Sequence, residues 1–341
     1  MKVSIERLEP SRQTPHAVGE SPLWRADEQA LYWVDIPAKQ LHRVTPADGD
    51  HRQWTFPEQI ACFTFDASGM LLAGCETGLF AVRLGPPGTL AASDWQRLAA
   101  PVFPLPGMRF NDGRCDRQGR FWAGTMVQDM SLASDAGVLF CFDTHGRLSA
   151  PLVEGLVTQN GLGFSPDSRT MYLSDSHPTR RRVWAFDFDA ECGAISGQRL
   201  FVDMNDYPGR PDGAAVDADG AYWTCANDGS RLLRFTPAGV LDREIVLPVS
   251  KPSMCAFGGR DFDTLFVTSI RPATGATEHD GHGFGADIIK PVRIAGGALR
   301  RLGRVDHPWR RDVARGMQRH GVLMEAAERF PMGHADHRGA R

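Results

Sequence analysis

Glu20 in HAVGESPLW, Asn111 in GMRFNDGRCD, Asn160 in VTQNGLGFS and Asp212 in RPDGAAVD share one position relative to the chain downstream of them. Each precedes a short apolar and aromatic run, by 11, 10, 11 and 9 residues respectively. Two carboxylates and two carboxamides are hard oxygen donors, of the kind that suit Ca²⁺, Mg²⁺ or Mn²⁺. Three such donors, Glu20, Asn160 and Asp212, leave coordination positions for water and a substrate, as a catalytic metal requires. The absence of His and Cys from the set argues against a structural zinc site. Arg109 adds a fixed positive fork, and the Asn111 amide can orient a hydroxyl-rich ligand. Singly, each residue has a plainer reading. Glu20 would be a surface carboxylate, Arg109 a surface ion-pair partner, and Asn160-Gly161 and Asp212-Gly213 hairpin turns. Asp112 reads as a turn or supporting carboxylate, and His177 in SDSHPTR as a solvent-exposed loop histidine.

The elements that would bring these residues together are announced by the runs themselves. LYWVD at Leu31, LLAG at Leu71, FWAG at Phe121, MYLSD at Met171, AYWTC at Ala221 and LFVTS at Leu265 succeed one another at steps of 40, 50, 50, 50 and 44 residues. A β-rich repeat of that period, punctuated by glycine, is the signature of a propeller built from four-stranded sheets. Six runs predict a six-bladed β-propeller, all-β in class. Turn signals at Asp66, Asp116, Ser165 and Asp217 repeat the beat, and each separates a candidate inner strand (ACFTF, FNDGRC, QNGLGF, PDGAAV) from the aromatic run. The Asp residues of these turns are expected to bond their own backbone. Equivalent positions of successive blades lie on a ring, so the four polar residues should meet at one mouth of a central channel.

The 341 residues, 42% hydrophobic and 23% charged with a formal net charge of −3, form an ordinary globular composition that gives no reason to expect nucleic-acid or membrane binding. No apolar run has the length of a membrane span, and MKVSIERLEP lacks the apolar core of a signal peptide, so a cytoplasmic monomer with a small-molecule partner is expected. Seven scattered cysteines without a C-x-x-C pair read as reduced and mostly buried. The propeller is assigned to residues 1–300, with MKVSIERL as a candidate closing strand, since an open sheet edge invites aggregation. Residues 301–341 read as an atypical basic extension, with a possible amphipathic helix over 312–330.

GESPLW, RFNDG with GRFWAGTM downstream, QNGLGFSPDSRTMYLSDS, RPDGAAVDADGAYW and FGGRDFDTLFVTS together resemble the family of senescence marker protein, gluconolactonase and luciferin-regenerating enzyme, the regucalcin-like sugar lactonases. The resemblance runs from about Glu20 to Ser269 and touches five of the six units. It implies one divalent ion in the channel (Ca²⁺, Zn²⁺, Mg²⁺, Mn²⁺ or Fe²⁺), held by Glu20, Asn160 and Asp212. It further implies Arg109 and Asn111 as substrate contacts, and Asp129 in GTMVQD is the nearest match to an acidic substrate-binding residue of some members. The expected activity is that of a carboxylic ester hydrolase opening a sugar lactone, such as a glucono-, galactono-, arabino- or xylonolactone, to its aldonic acid. Asp212 is the candidate for taking the proton from the attacking water. An esterase on the same fold and a non-catalytic calcium-binding or protein-binding propeller remain as alternatives. The chain departs from the family after about Gly283, where GFGADIIKPVRIAGGALRR replaces the usual closing strand.

Overall fold

The computed structural model of the chain describes Ile5 and residues 16–272. Over that span the chain lays down six sheets of antiparallel strands in succession, five of them with at least four strands. The innermost strands are Gly19–Arg25, Ile60–Phe65, Met108–Cys115, Gln159–Phe164, Arg210–Val216 and Pro252–Gly258. Each hairpins into one of the aromatic runs, which form the second strands Ala30–Asp35, Leu71–Cys75, Phe121–Val127, Thr170–Asp175, Tyr222–Asn227 and Thr264–Ser269. Each inner strand packs against the next, and Pro252–Gly258 packs against Gly19–Arg25, so the ring of a β-propeller closes.

The expected six four-stranded blades are met in five. Blades 1 to 5 are complete, with a two-residue strand, Gly88–Thr89, added in parallel to the edge of the first. The sixth sheet is described only as the hairpin of Pro252–Gly258 with Thr264–Ser269. MKVSIERL apart from Ile5, the candidate helix over 312–330 and the basic extension lie outside the described residues. Among those described, closure comes from the hairpin meeting blade 1. Trp24 stacks on Phe266 with ring centroids 5.2 Å apart, Val18 pairs with Ile270, and the Arg271 amide donates to the Ala17 carbonyl at 3.0 Å.

The second strands read as continuous apolar runs because they are covered on both faces by neighbouring blades. Ala30–Asp35, Phe121–Val127 and Tyr222–Asn227 are buried at every residue. The Asp turns behave as their sequence predicts. Asp116 Oδ1 accepts from the Gln118 and Arg120 amides at 2.9 and 3.0 Å, and Asp217 Oδ1 from the Asp219 and Ala221 amides at 3.0 and 2.9 Å. Their other oxygens accept from the indoles of Trp122 and Trp223 at 3.0 and 2.8 Å, which ties each turn to the next strand.

The seven cysteines are free, and five of them are buried. No helix among the described residues is long and apolar enough to cross a membrane.

Candidate functional site

Every inner strand breaks register with its partner near its start. The shifts fall between Glu20 and Leu23, Ile60 and Cys62, Phe110 and Gly113, Asn160 and Gly163, Pro211 and Ala214, and Pro252 and Cys255. A bulge bends its strand and re-aims a side chain. Four of the six bulges coincide with Glu20, Asn111, Asn160 and Asp212, so the shared sequence phase is a shared backbone irregularity.

Local chemistry explains two of these bulges. Ser21 sits at φ 51 directly after Glu20, and its hydroxyl donates to the Ala61 carbonyl of the next blade at 2.8 Å. Gly161, after Asn160, has φ 62, and a Cβ there would lie 2.4 Å from the Tyr222 hydroxyl and 2.5 Å from Ser174 Oγ. Only glycine meets both demands. The Tyr222 hydroxyl in turn donates to the Gly161 carbonyl at 2.8 Å.

Two aspartates that sequence reasoning passed over pin the chain just ahead of the site. Asp35 accepts from the amides of Ala17 and Val18 at 2.9 and 3.2 Å, and Asp175 from those of Val157 and Thr158, both at 2.9 Å. They close the LYWVD and MYLSD runs at one phase, a signal that was available.

The carboxylates do converge. Burial, then the charges of Asp212 and Asp112, hold the half-buried Glu20 carboxyl well above its ordinary range, while Arg109 pulls the other way. Asp212 is buried and its carboxyl is raised to about 6 by burial, against the pull of Arg210 and of the Asn227 amide. Asn227 Nδ2 donates to Asp212 Oδ2 at 2.6 Å, and Ser176 Oγ lies 3.5 Å from Oδ1. Arg210 braces both supports, donating to Ser176 Oγ at 2.7 Å and to Asn227 Oδ1 at 3.0 Å. None of Arg210, Ser176 and Asn227 was singled out from sequence, because their value lies in contacts across blades 4 and 5.

Arg109 Nη1 donates to Asn111 Oδ1 and to the Phe110 carbonyl, both at 2.8 Å, and Asn111 Nδ2 donates to the Gln159 carbonyl at 2.7 Å. The pair thus bridges blade 3 to the strand that carries Asn160. Burial lowers the Arg109 guanidinium to about 10, opposed first by Glu20. Asp112 is buried and accepts from the Leu162 amide at 2.9 Å, a supporting role in keeping with its sequence reading.

Two residues stand apart from expectation. His177 is buried: its amide donates to Asp175 Oδ1 at 3.2 Å, and its ring lies 2.8 Å from Thr179 Oγ1 and 3.2 Å from the Met130 carbonyl. Its contact across two blades corrects the exposed-loop expectation. Asp129 is exposed and caps the short 3₁₀ helix Met130–Leu132, accepting from the Ser131 amide at 3.0 Å and its hydroxyl at 2.6 Å. Its neighbour Gln128 is the residue that turns toward other polar groups, bonded to Gln59 Nε2 at 2.9 Å and Glu76 Oε1 at 3.3 Å.

Among the described residues, no group of three or more His, Cys, Asp or Glu side chains is disposed to hold a metal. Glu20, Asn160 and Asp212 include only two such residues, the third donor being a carboxamide. The donor set nevertheless fits a hard divalent cation: the Asp212 charge raises the proton affinity of the desolvated Glu20 carboxylate, and Asn160 is buried. Asp112 Oδ1 and Gln159 Oε1 are also buried acceptors without a partner among the described residues. Uncompensated negative charge and unpaired acceptors are what such a cation relieves.

A ring of β-sheets closed on itself defines a β-propeller. The family model described as the SMP-30/gluconolactonase/LRE-like region matches residues 18–271, and the chain belongs to that family. It is 38% identical over 264 residues to a 6-deoxy-6-sulfogluconolactonase of Pseudomonas putida, covering 77% of this chain and 87% of the relative. A pentonolactonase of Haloferax volcanii is 34% identical over 285 residues, 84% of this chain and 90% of that one. Among solved structures, the calcium-binding protein regucalcin of Agrobacterium tumefaciens superimposes with a TM-score of 0.75 at 25% identity, covering 88% of this chain and 98% of the other.

Proposed function

We propose that the chain hydrolyses a sugar lactone to its aldonic acid with the help of one divalent cation held by Glu20, Asn160 and Asp212. The observation that carries this reading is the convergence of two desolvated, mutually repelling carboxylates from blades 1 and 5, in a chain whose relatives include enzymes named for lactones. The fit of the donor set, and the calcium-binding title of the regucalcin structure, support the cation. When bound, such a cation supplies charge stabilisation for a carbonyl oxygen that becomes anionic.

The chain's own residues supply the rest. Asp212 Oδ2 is fixed by Asn227, which leaves Oδ1 to take a proton from the attacking water. Arg109, with Nη1 committed to Asn111, keeps its remaining N–H groups for ligand oxygens, and Asn111 is locked in orientation by its two bonds. Asp129 stands at the rim, where the oxygen not used in its cap can meet a distal hydroxyl. The hairpin over residues 252–269 is taken as the inner half of a sixth blade, which gives the six-bladed ring.

The test is pH-stat hydrolysis of a panel of γ- and δ-aldonolactones by chelated protein, with Ca²⁺, Mg²⁺, Mn²⁺, Zn²⁺ or Fe²⁺ restored, beside Glu20→Gln. Turnover that requires a cation and falls by roughly a thousandfold in the variant is expected. Folded protein with no turnover above the spontaneous rate under any ion overturns the reading and leaves a binding propeller.

A further inference from the structure

Arg114 has no part in the proposed reaction, yet its side chain reaches from blade 3 to blade 5. It leaves the inner strand of blade 3, and its Nη2 donates to the Ala214 carbonyl at 2.6 Å on the inner strand of blade 5, one hundred residues later. To do so it passes the inner strand of blade 4, which carries Asn160. Its Nε is buried without a partner among the described residues. The charge it faces is Asp112, whose carboxyl burial pushes up and Arg114 draws back down. Asp112 is in turn one of the charges felt by both Glu20 and Asp212. Its Oδ2 is bonded to the Leu162 amide at 2.9 Å while Oδ1 stays unpaired. A third carboxylate therefore lies within electrostatic range of the proposed cation ligands, and the Arg114 charge acts on it without an ion-pair contact.

We infer that Arg114 is a resident cation of the channel, whose charge, fixed at the Ala214 carbonyl two residues from Asp212, restrains the affinity of the site for a divalent ion. The inference rests on the proposal of a cation at Glu20, Asn160 and Asp212. A guanidinium suits this place: its planar fork can hold a carbonyl with one N–H group and still present positive charge to the channel. An apolar side chain would fill the same space without the cost of desolvating a charge, so packing alone does not account for the arginine.

The distinguishing consequence is one of sign. Removing a residue that merely props the fold loosens a nearby site. Removing an internal positive charge makes the channel more negative and tightens cation binding, by roughly tenfold for one unit charge acting on a divalent ion about 10 Å away at the effective dielectric of about 50 of a partly wet channel. The experiment titrates chelated full-length chain with Ca²⁺ and then Mn²⁺ alone, by calorimetry, for the native protein, Arg114→Met, Arg114→Gln and Arg114→Lys. Circular dichroism and a thermal melt establish that each is folded. Arg114→Met should bind roughly ten times more tightly, and Arg114→Lys should return to within about threefold of native. Arg114→Gln is neutral but polar and answers the same question should the methionine variant not fold. A folded neutral variant that binds as weakly as native, or more weakly, overturns the inference while leaving the metal reading intact. Native protein that takes up neither ion overturns the metal reading itself, and this inference with it.

Discussion

The two ends of the same blades treat their carboxylates in opposite ways. At the turn end, Asp116 accepts from two turn amides, the Trp122 indole and Arg120 Nε, the last at 2.6 Å. Asp217 repeats the pattern with two amides, the Trp223 indole and Arg234 Nε at 2.8 Å. At the mouth, the Ser21 amide reaches Glu20 only at 3.4 Å, and Asp212 has one close donor, Asn227. Both sets are aspartate or glutamate with glycine or a small residue close behind, so composition cannot separate them. Satisfaction does. A carboxylate surrounded by fixed donors has nothing left to offer a ligand, whereas one that is buried and under-supplied is poised to accept a proton or a cation.

That contrast can be broken by substitution at either end. Asp116→Ala should produce the larger change in stability, because it removes at once the carboxylate paired with Arg120 Nε and the acceptor of the Trp122 indole, both residues being buried. Breaking a buried pair of this kind costs about 3 kcal/mol or more, read as a lower denaturant midpoint, with lactone turnover per folded molecule unchanged. A loss below about 1 kcal/mol would show that the turn end is not held by its carboxylates. Asp212→Asn should act in the other direction. In the native chain the folded-state carboxyl titrates near 6 rather than 3.8, so the folded form keeps its proton where the unfolded form has lost it. The stability this confers is complete below about pH 4 and is lost as pH rises through 6. The amide escapes that penalty. In chelated protein Asp212→Asn should therefore be more stable than native by about 2–3 kcal/mol at pH 7, with the advantage vanishing near pH 4, while lactone turnover is lost. A variant less stable than native at pH 7 would place Asp212 with the saturated carboxylates.

Sequence carries the ring well and the site unevenly, for reasons visible in single residues. The second strands are legible because burial on both faces demands an unbroken apolar run, and the Asp turns because their side chains bond within four residues of themselves. Glu20, Asn160 and Asp212 share a phase that the sequence displays, but Asn160-Gly161 and Asp212-Gly213 look like hairpin turns and prove to be bulges within strands. A register shift is a property of two paired strands, and one strand's sequence does not display it. Arg114, Arg210 and His177 escape for a stronger reason: their partners at Ala214, Ser176 and Met130 lie 100, 34 and 47 residues away. Only the closed ring makes those distances short.

The smallest effect sharpens the comparison most, since it concerns a carboxylate at the mouth end that is nonetheless supplied with donors. Asp129 is exposed, and Ser131 provides both an amide and a hydroxyl to one of its oxygens. If donor supply rather than location decides what a carboxylate can do, Asp129 should bind substrate weakly and take no part in the chemical step. Asp129→Ala should then raise KM about threefold with kcat unchanged, the signature of a contact made equally in the ground and transition states. Asp129→Asn, which keeps an oxygen for the cap, should recover most of that loss. A fall in kcat of more than about tenfold in Asp129→Ala would mean that an exposed, capped carboxylate can still reach the reacting atoms. Position at the mouth, not deprivation of donors, would then be what marks the functional carboxylates of this ring.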